Sequence, residues 1–180
     1  MGVNVLYGGA FDPPHVGHVA VADAARAHFG VARLVILVSE RPAHRTTQAS
    51  PEDRLALARA AFPGDDVRLD RHPRTIDLLR SDRFENPVFV IGADQFAAFL
   101  TWAEPDEVLE RATLAVATRP GVPREQLDEV LAQLASPEKV VFLSIEPNPA
   151  SSTEIRDGSS PEDVPPAVAH LIENRWLYRP

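Results

Sequence analysis

Residues 3–18 read VNVLYGGAFDPPHVGH: a short apolar run, two glycines, Phe-Asp, two prolines, and two histidines three positions apart. An apolar run that ends in glycines and feeds a helix-forming stretch over 16–29 reads as the first strand–loop–helix unit of an open parallel sheet. In such sheets ligands bind beyond the carboxyl ends of the strands, where loops lead into helix N-termini. Gly8 and Gly9 would let the backbone turn tightly and a phosphate approach closely. Asp12-Pro13-Pro14 would hold the approach to the helix extended, because proline fixes its own φ and restricts the residue before it. Gly17 removes a side chain between the histidines. Three positions apart on a helix, His15 and His18 share a face and would point together into the mouth at the end of the sheet.

Outward from this stretch the pattern recurs. Apolar, β-branched runs at 3–7, 33–38, 67–69, 87–92, 112–118 and 139–145 lack strict alternation, as strands covered on both faces do. Helix-like stretches at 16–29, 51–61, 75–83, 93–99, 104–111, 124–135, 152–157 and 164–174 separate or follow them. This alternation predicts an α/β fold, a mostly parallel open sheet with helices on both faces. The expected organisation is one domain over 1–180, with a helical part at about 150–180 packed on it. The tetrapeptide Ser-Pro-Glu-Asp occurs at 50–53 and again at 160–163, and each copy reads as a helix start: serine N-cap, proline at the first helical position, acids in the first turn.

Composition narrows the functions. The 180 residues carry a formal charge of −8, which disfavours a surface built to bind nucleic acid or an anionic membrane, so an anionic ligand must be met by local charge. There is no cysteine, which excludes disulfides, thiol nucleophiles and cysteine zinc sites. With neither a basic leader nor a long apolar run, the expected setting is soluble and cytoplasmic. Self-association is compatible with the sequence and not indicated by it.

Three readings of the paired histidines stand side by side. They could be zinc ligands, although the motif offers no glutamate and no obvious third ligand. They could cradle phosphate, with imidazole N–H groups and a helix N-terminus stabilising charge that builds during phosphoryl or nucleotidyl transfer. They could simply cap and pack the helix.

The stretch GGAFDPPHVGH resembles the signature of the nucleotidyltransferases that carry a His-x-Gly-His motif, which share a Rossmann-like fold and join a nucleoside triphosphate to a nucleophile with release of pyrophosphate. SSTEIR at 151–156 is similar to the second signature of one branch, the bacterial nicotinate-mononucleotide adenylyltransferases. Read physically, Ser151 and Glu154 are spaced as a capping box, while Ser152, Thr153 and the turn's N–H groups could hold phosphate oxygens, with Arg156 as a two-toothed grip. FVIGADQFAAFLTWAEPDEVL at 89–109, TRPG at 118–121 and VPPAVAHLIENRWLYRP at 164–180 also look like this branch, so the resemblance runs nearly end to end.

That resemblance implies roles. His15, His18 and Arg156 would be catalytic. Gly8, Gly9, Phe11, Arg45, Gly92, Asp94, Ser151, Ser152 and Thr153 would bind ATP and its phosphates, Asp94 by accepting from ribose hydroxyls. Trp102 would stack on the pyridine ring, with Arg74 and Thr75 shaping the acceptor pocket. ATP would arrive with Mg2+, the acceptor would be a pyridine mononucleotide, and no protein metal site is expected. Ala10 stands where the branch usually has Thr or Ser. Arg74 stands where it has an aromatic, and suits an anionic group such as the nicotinate carboxylate. The alternatives are a related acceptor, nicotinamide mononucleotide or phosphopantetheine, and a nucleotide-binding sensor without turnover.

Overall fold

β1 (Val5–Gly9) and α1 (Val16–Phe29) form the first strand–loop–helix unit of the computed structural model, which describes residues 2–42, 46–81, 84–118, 122–146 and 148–179. The chain continues through β2 (Val35–Ser39), α2 (Pro51–Ala61), β3 (Asp66–Asp70), α3 (Thr75–Ser81) and β4 (Val88–Gly92). Then come α4 (Ala93–Ala97), α5 (Pro105–Arg111), β5 (Thr113–Thr118), α6 (Arg124–Leu131), β6 (Val140–Ser144), α7 (Ser152–Arg156) and α8 (Pro166–Asn174). The strands form one sheet in the order β3-β2-β1-β4-β5-β6, and every pairing is parallel. This is the Rossmann-like architecture expected from the sequence. The order reverses between β1 and β4, which is where an open α/β sheet leaves its ligand crevice.

Both faces of the sheet are covered, and the strands show why their sequences lack alternation. Val88 and Val90 of β4 enter one core with Ala22 and Ala25 of α1, Leu57 and Ala58 of α2, and Val168 of α8. Phe89 and Ile91 enter the other with Ile76 of α3, Phe96 of α4, Leu109 of α5 and Leu127 of α6. Successive strand residues point to opposite faces, and both faces here are apolar.

Two local expectations are corrected. The glycines at 8 and 9 belong to β1 itself and do not take left-handed angles; the residue with positive φ in the following loop is Phe11, at 51°. The second Ser-Pro-Glu-Asp opens only a three-residue 3-10 turn, Pro161–Asp163, and Ser160 makes no capping bond. Val164 is extended (φ −106°, ψ 147°) ahead of Pro165, as a residue before proline prefers, so α8 starts two residues later than its pattern suggests.

Candidate active site

α1 starts with reciprocal capping by imidazoles. His15 is the N-cap, and its Nδ1 accepts from the N–H of Gly17 at 3.1 Å, while Nδ1 of His18 accepts from the N–H of His15 at 3.1 Å. Their ring centroids lie 3.8 Å apart. This does with two histidines what a Ser/Glu capping box does, by satisfying orphan donors of the first turn. The capping reading is therefore realised, and the phosphate-cradle reading is compatible with it. With Nδ1 accepting in both rings, the proton of each neutral imidazole sits on Nε2, which makes Nε2 a hydrogen-bond donor. A protonated Nε2 is also the wrong atom for zinc. Among the described residues no group of three or more His, Asp or Glu could hold a metal ion.

The glycines are explained by close packing. A Cβ on Gly17 would lie 3.0 Å from Cε1 and Nδ1 of His15. A Cβ on Gly8 would meet the Phe89 ring at 3.1 Å, and one on Gly9 the Phe11 ring at 3.0 Å. Phe11 is buried, and its ring stands edge-on to His18 at 5.2 Å and to Tyr7 at 5.5 Å. Its side chain backs the second histidine from below.

Beneath the histidines lies a polar knot that sequence reading missed. The buried carboxylate of Asp12 accepts from the N–H groups of Gln48 (2.7 Å) and Ala49 (3.1 Å) and from the hydroxyl of Tyr178 (2.8 Å). Arg54, fully buried, donates to the carbonyls of Ala10 (2.8 Å), Ser39 (2.6 Å), Glu40 (3.0 Å) and Ala49 (3.3 Å). One guanidinium thus pins the loop after β1 to the end of β2. Burial lowers its pKa from the usual arginine value, opposed mainly by the Asp12 charge. Burial, with Asp12 adding to it, pushes the Tyr178 phenol up, so it stays a neutral donor. Arg54 was legible in principle: it falls on the buried stripe Arg54, Leu57, Ala58, Ala61 of α2, at helical spacing.

α7 meets this knot from the other side. Ser151 is the N-cap by position but makes no side-chain capping bond, so the expected box with Glu154 is not formed. One hydroxyl of this turn serves the first motif instead. Ser152 Oγ donates to the carbonyl of Pro13 at 2.9 Å. Arg156 donates from one terminal nitrogen to the carbonyl of Asp12 at 2.7 Å and from the other to Thr153 Oγ1 at 3.2 Å, while its Nε is buried with no hydrogen-bond partner among the described residues. The two signatures, some 140 residues apart in sequence, are in direct contact.

The other predicted residues within the described chain lie in the segments that follow β3 and β4. Gly92 ends β4 and donates its N–H to Gln95 Oε1 at 3.1 Å, with Asp94 in the exposed first turn of α4. Trp102 is half-buried, its ring 5.3 Å from Phe99. Thr75 starts α3, and Arg74 just before it is gripped by Asp77 at 2.7 and 2.8 Å. In this structure the anionic group that Arg74 meets is therefore Asp77. Arg45 and His44, like residues 119–121 of the TRPG stretch, lie outside the described residues.

Residues 6–158 match the model of the Cytidylyltransferase-like family. The probable nicotinate-nucleotide adenylyltransferase of Thermus thermophilus is 36% identical over 191 residues, covering 97% of this chain and 98% of that protein. That of Rubrobacter xylanophilus is 32% identical over 194 residues, covering 97% and 91%. Among solved structures, the Plasmodium falciparum nicotinic acid mononucleotide adenylyltransferase complexed with NaAD shares the fold, with a TM-score of 0.80 at 16% identity over 99% of this chain and 98% of that one.

Proposed function

Because this chain belongs to the Cytidylyltransferase-like family and, within it, to the nicotinate-nucleotide adenylyltransferases, we propose that it transfers the adenylyl group of ATP to nicotinate mononucleotide, forming the deamido dinucleotide and pyrophosphate. The observation that carries this reading is the contact between Arg156 and the carbonyl of Asp12, 2.7 Å, which joins the second signature to the loop of the first.

The nucleophile is a phosphate oxygen of the mononucleotide, already anionic at neutral pH, so no general base is needed. Its attack on the α-phosphorus of ATP forms the new P–O bond as the bond to pyrophosphate breaks. The work left to the protein is alignment and neutralisation of charge moving onto the leaving group. His18 Nε2–H donates to the α-phosphate and His15 Nε2–H to the neighbouring phosphates, both from rings fixed by their capping bonds. Arg156, with Arg45, holds the departing pyrophosphate, and the turn carrying Ser151, Ser152 and Thr153 lines its exit. ATP would enter as its Mg2+ complex over the end of β1, where Gly8 and Gly9 admit the Phe89 and Phe11 rings. Gly92 and Asp94 take the adenosine side, Asp94 accepting from ribose hydroxyls. The pyridine stacks on Trp102, and Arg74 beside Thr75 exchanges Asp77 for the nicotinate carboxylate. The proposed setting is the cytoplasm.

A pyrophosphate-release assay with ATP and Mg2+, offering nicotinate mononucleotide, nicotinamide mononucleotide and phosphopantetheine separately, tests the proposal. Turnover with the first well above the others is expected, with the dinucleotide identified by mass. Preference for another acceptor would move the substrate assignment, and ATP binding without turnover on any of them would turn the reading to a sensor.

A further inference from the structure

We propose that Tyr178, in the segment after α8, is a positioning residue that keeps Arg156 available to phosphate by holding the Asp12 carboxylate away from it. The inference rests on Arg156 acting as a phosphate ligand, as argued above.

Asp12 and Arg156 form only a long ion pair, with no direct hydrogen bond from the guanidinium to the carboxylate. The carboxylate Oδ2 lies 3.9 Å from the nearer terminal nitrogen of Arg156, which bonds to the main-chain carbonyl of Asp12 at 2.7 Å instead. Three donors restrain the carboxylate. Oδ2 accepts from Gln48 N–H at 2.7 Å, and Oδ1 accepts from Ala49 N–H at 3.1 Å and from the Tyr178 hydroxyl at 2.8 Å. The two backbone donors are fixed by the loop. The phenol is the one side-chain donor of the three. Without it Oδ1 keeps a single, longer bond, and the cheapest way for a buried carboxylate to recover its lost partner is to rotate onto the adjacent guanidinium. A bidentate Asp–Arg pair would then compete with phosphate for the same fork.

The segment that brings Tyr178 here is built at some conformational cost. Trp176 and Tyr178 both take left-handed angles, φ 55° and 57°, which residues with a side chain rarely adopt. Arg175 bonds to Asp53 of α2 at 2.7 Å, and the Arg179 guanidinium stacks 3.9 Å from the centre of the Trp176 ring. These contacts hold the turn so that the phenol reaches the buried carboxylate.

The test uses the full chain with Tyr178→Phe, which keeps the ring and removes only the hydroxyl, alone and combined with Arg156→Ala. Pyrophosphate affinity by calorimetry and kcat with ATP and nicotinate mononucleotide are both read. In the otherwise native protein Tyr178→Phe should weaken pyrophosphate binding and lower kcat by about tenfold each, the scale of one hydrogen bond to a charged group. In the Arg156→Ala background the same change should cost less than about twofold, because the residue it acts through is gone. Equal losses in both backgrounds, or no loss in the native one, would overturn the inference. Failure of the parent protein to turn over any pyridine mononucleotide would instead refute the proposed reaction, while the pyrophosphate-binding cycle would still decide the role of Tyr178.

Discussion

At the start of α1 the N–H groups of His15 and Gly17 are taken by imidazole nitrogens, whereas at the start of α7 the serine in the N-cap position makes no capping bond and the next hydroxyl reaches across to Pro13. One helix start is braced from within, the other from without. The sequence suggested the reverse: Ser-x-x-Glu at 151–154 is the familiar capping pattern, and histidines are not usually counted as caps. A cap forms where the backbone angles bring side chain and amide together. At α1 the extended His15 (φ −136°, ψ 174°) does so. At α7 the helix is anchored at both ends by contacts to the other motif, through Ser152 and Arg156. The histidines therefore brace α1 while carrying the proposed chemistry, and α7 depends on its tethers.

The widest separation of the two sites should come from His18. Removing it as His18→Ala deletes the proposed donor to the α-phosphate and the acceptor for the His15 N–H. Turnover should fall by about 10²–10³-fold, roughly 2.7 to 4 kcal/mol of barrier. Stability should fall by about 1 kcal/mol for the lost cap. His18→Asn tells the two roles apart, since a side-chain carbonyl can accept as Nδ1 does but has no donor at the position of Nε2. Thermal unfolding should recover in that variant while turnover does not. A folded His18→Ala protein with near-native turnover would remove the histidine from the mechanism and leave it a cap alone.

Much of this was legible, for identifiable reasons. The order of strands and helices follows from apolar runs separated by helix-forming stretches, and α1 and α2 match the spans expected from their sequences. The histidine pair announced itself by its spacing. What escaped were features set by distant parts of the chain. Arg54 looks like any helix arginine until its position on the buried stripe is noticed, and the four carbonyls it collects come from three separate segments. Asp12 could be seen as a turn residue, but its partners come from Gln48, Ala49 and Tyr178. The glycines at 8 and 9 stand out in the sequence as a turn and a phosphate approach, whereas the rings they make room for, Phe89 and Phe11, are not predictable from local sequence.

Gly17→Ala probes the internal bracing of α1 more gently. The new Cβ would sit 3.0 Å from the His15 ring, closer than packed atoms tolerate, so the ring must tilt or the turn must shift. Overpacking of this kind costs about 1 to 3 kcal/mol. Because the displaced ring is also a proposed phosphate donor, turnover should drop by about tenfold, on the scale of one weakened charged hydrogen bond. The matching change at α7, Ser152→Ala, removes a single tether to Pro13 and should cost about 1 kcal/mol or less. Thermal unfolding and kcat measured together on both variants would sharpen the contrast, and a harmless Gly17→Ala would show that His15 is not held as tightly as its contacts indicate.

The smallest effects isolate capping from everything else, because the chain contains the same tetrapeptide twice. At 50–53, Ser50 Oγ accepts from the N–H of Asp53 at 3.1 Å and an eleven-residue helix follows, its stripe of Arg54, Leu57, Ala58 and Ala61 buried. At 160–163 the identical residues yield a three-residue turn with no capping bond, since Val164 is held extended before Pro165, and Pro165 itself is extended (ψ 145°) before Pro166. The serine signal is the same in both places; the residues after it decide whether a helix exists to be capped. Ser50→Ala should therefore lower stability by about 1 kcal/mol, and Ser160→Ala should stay within about 0.5 kcal/mol of the parent, measured by denaturant unfolding. Ser151→Ala belongs with the second case despite sitting at a helix start, because its hydroxyl does not cap α7. Equal losses at 50 and 160 would mean that the turn at 161–163 is held by its serine after all, and that proline alone does not explain why the helix fails there.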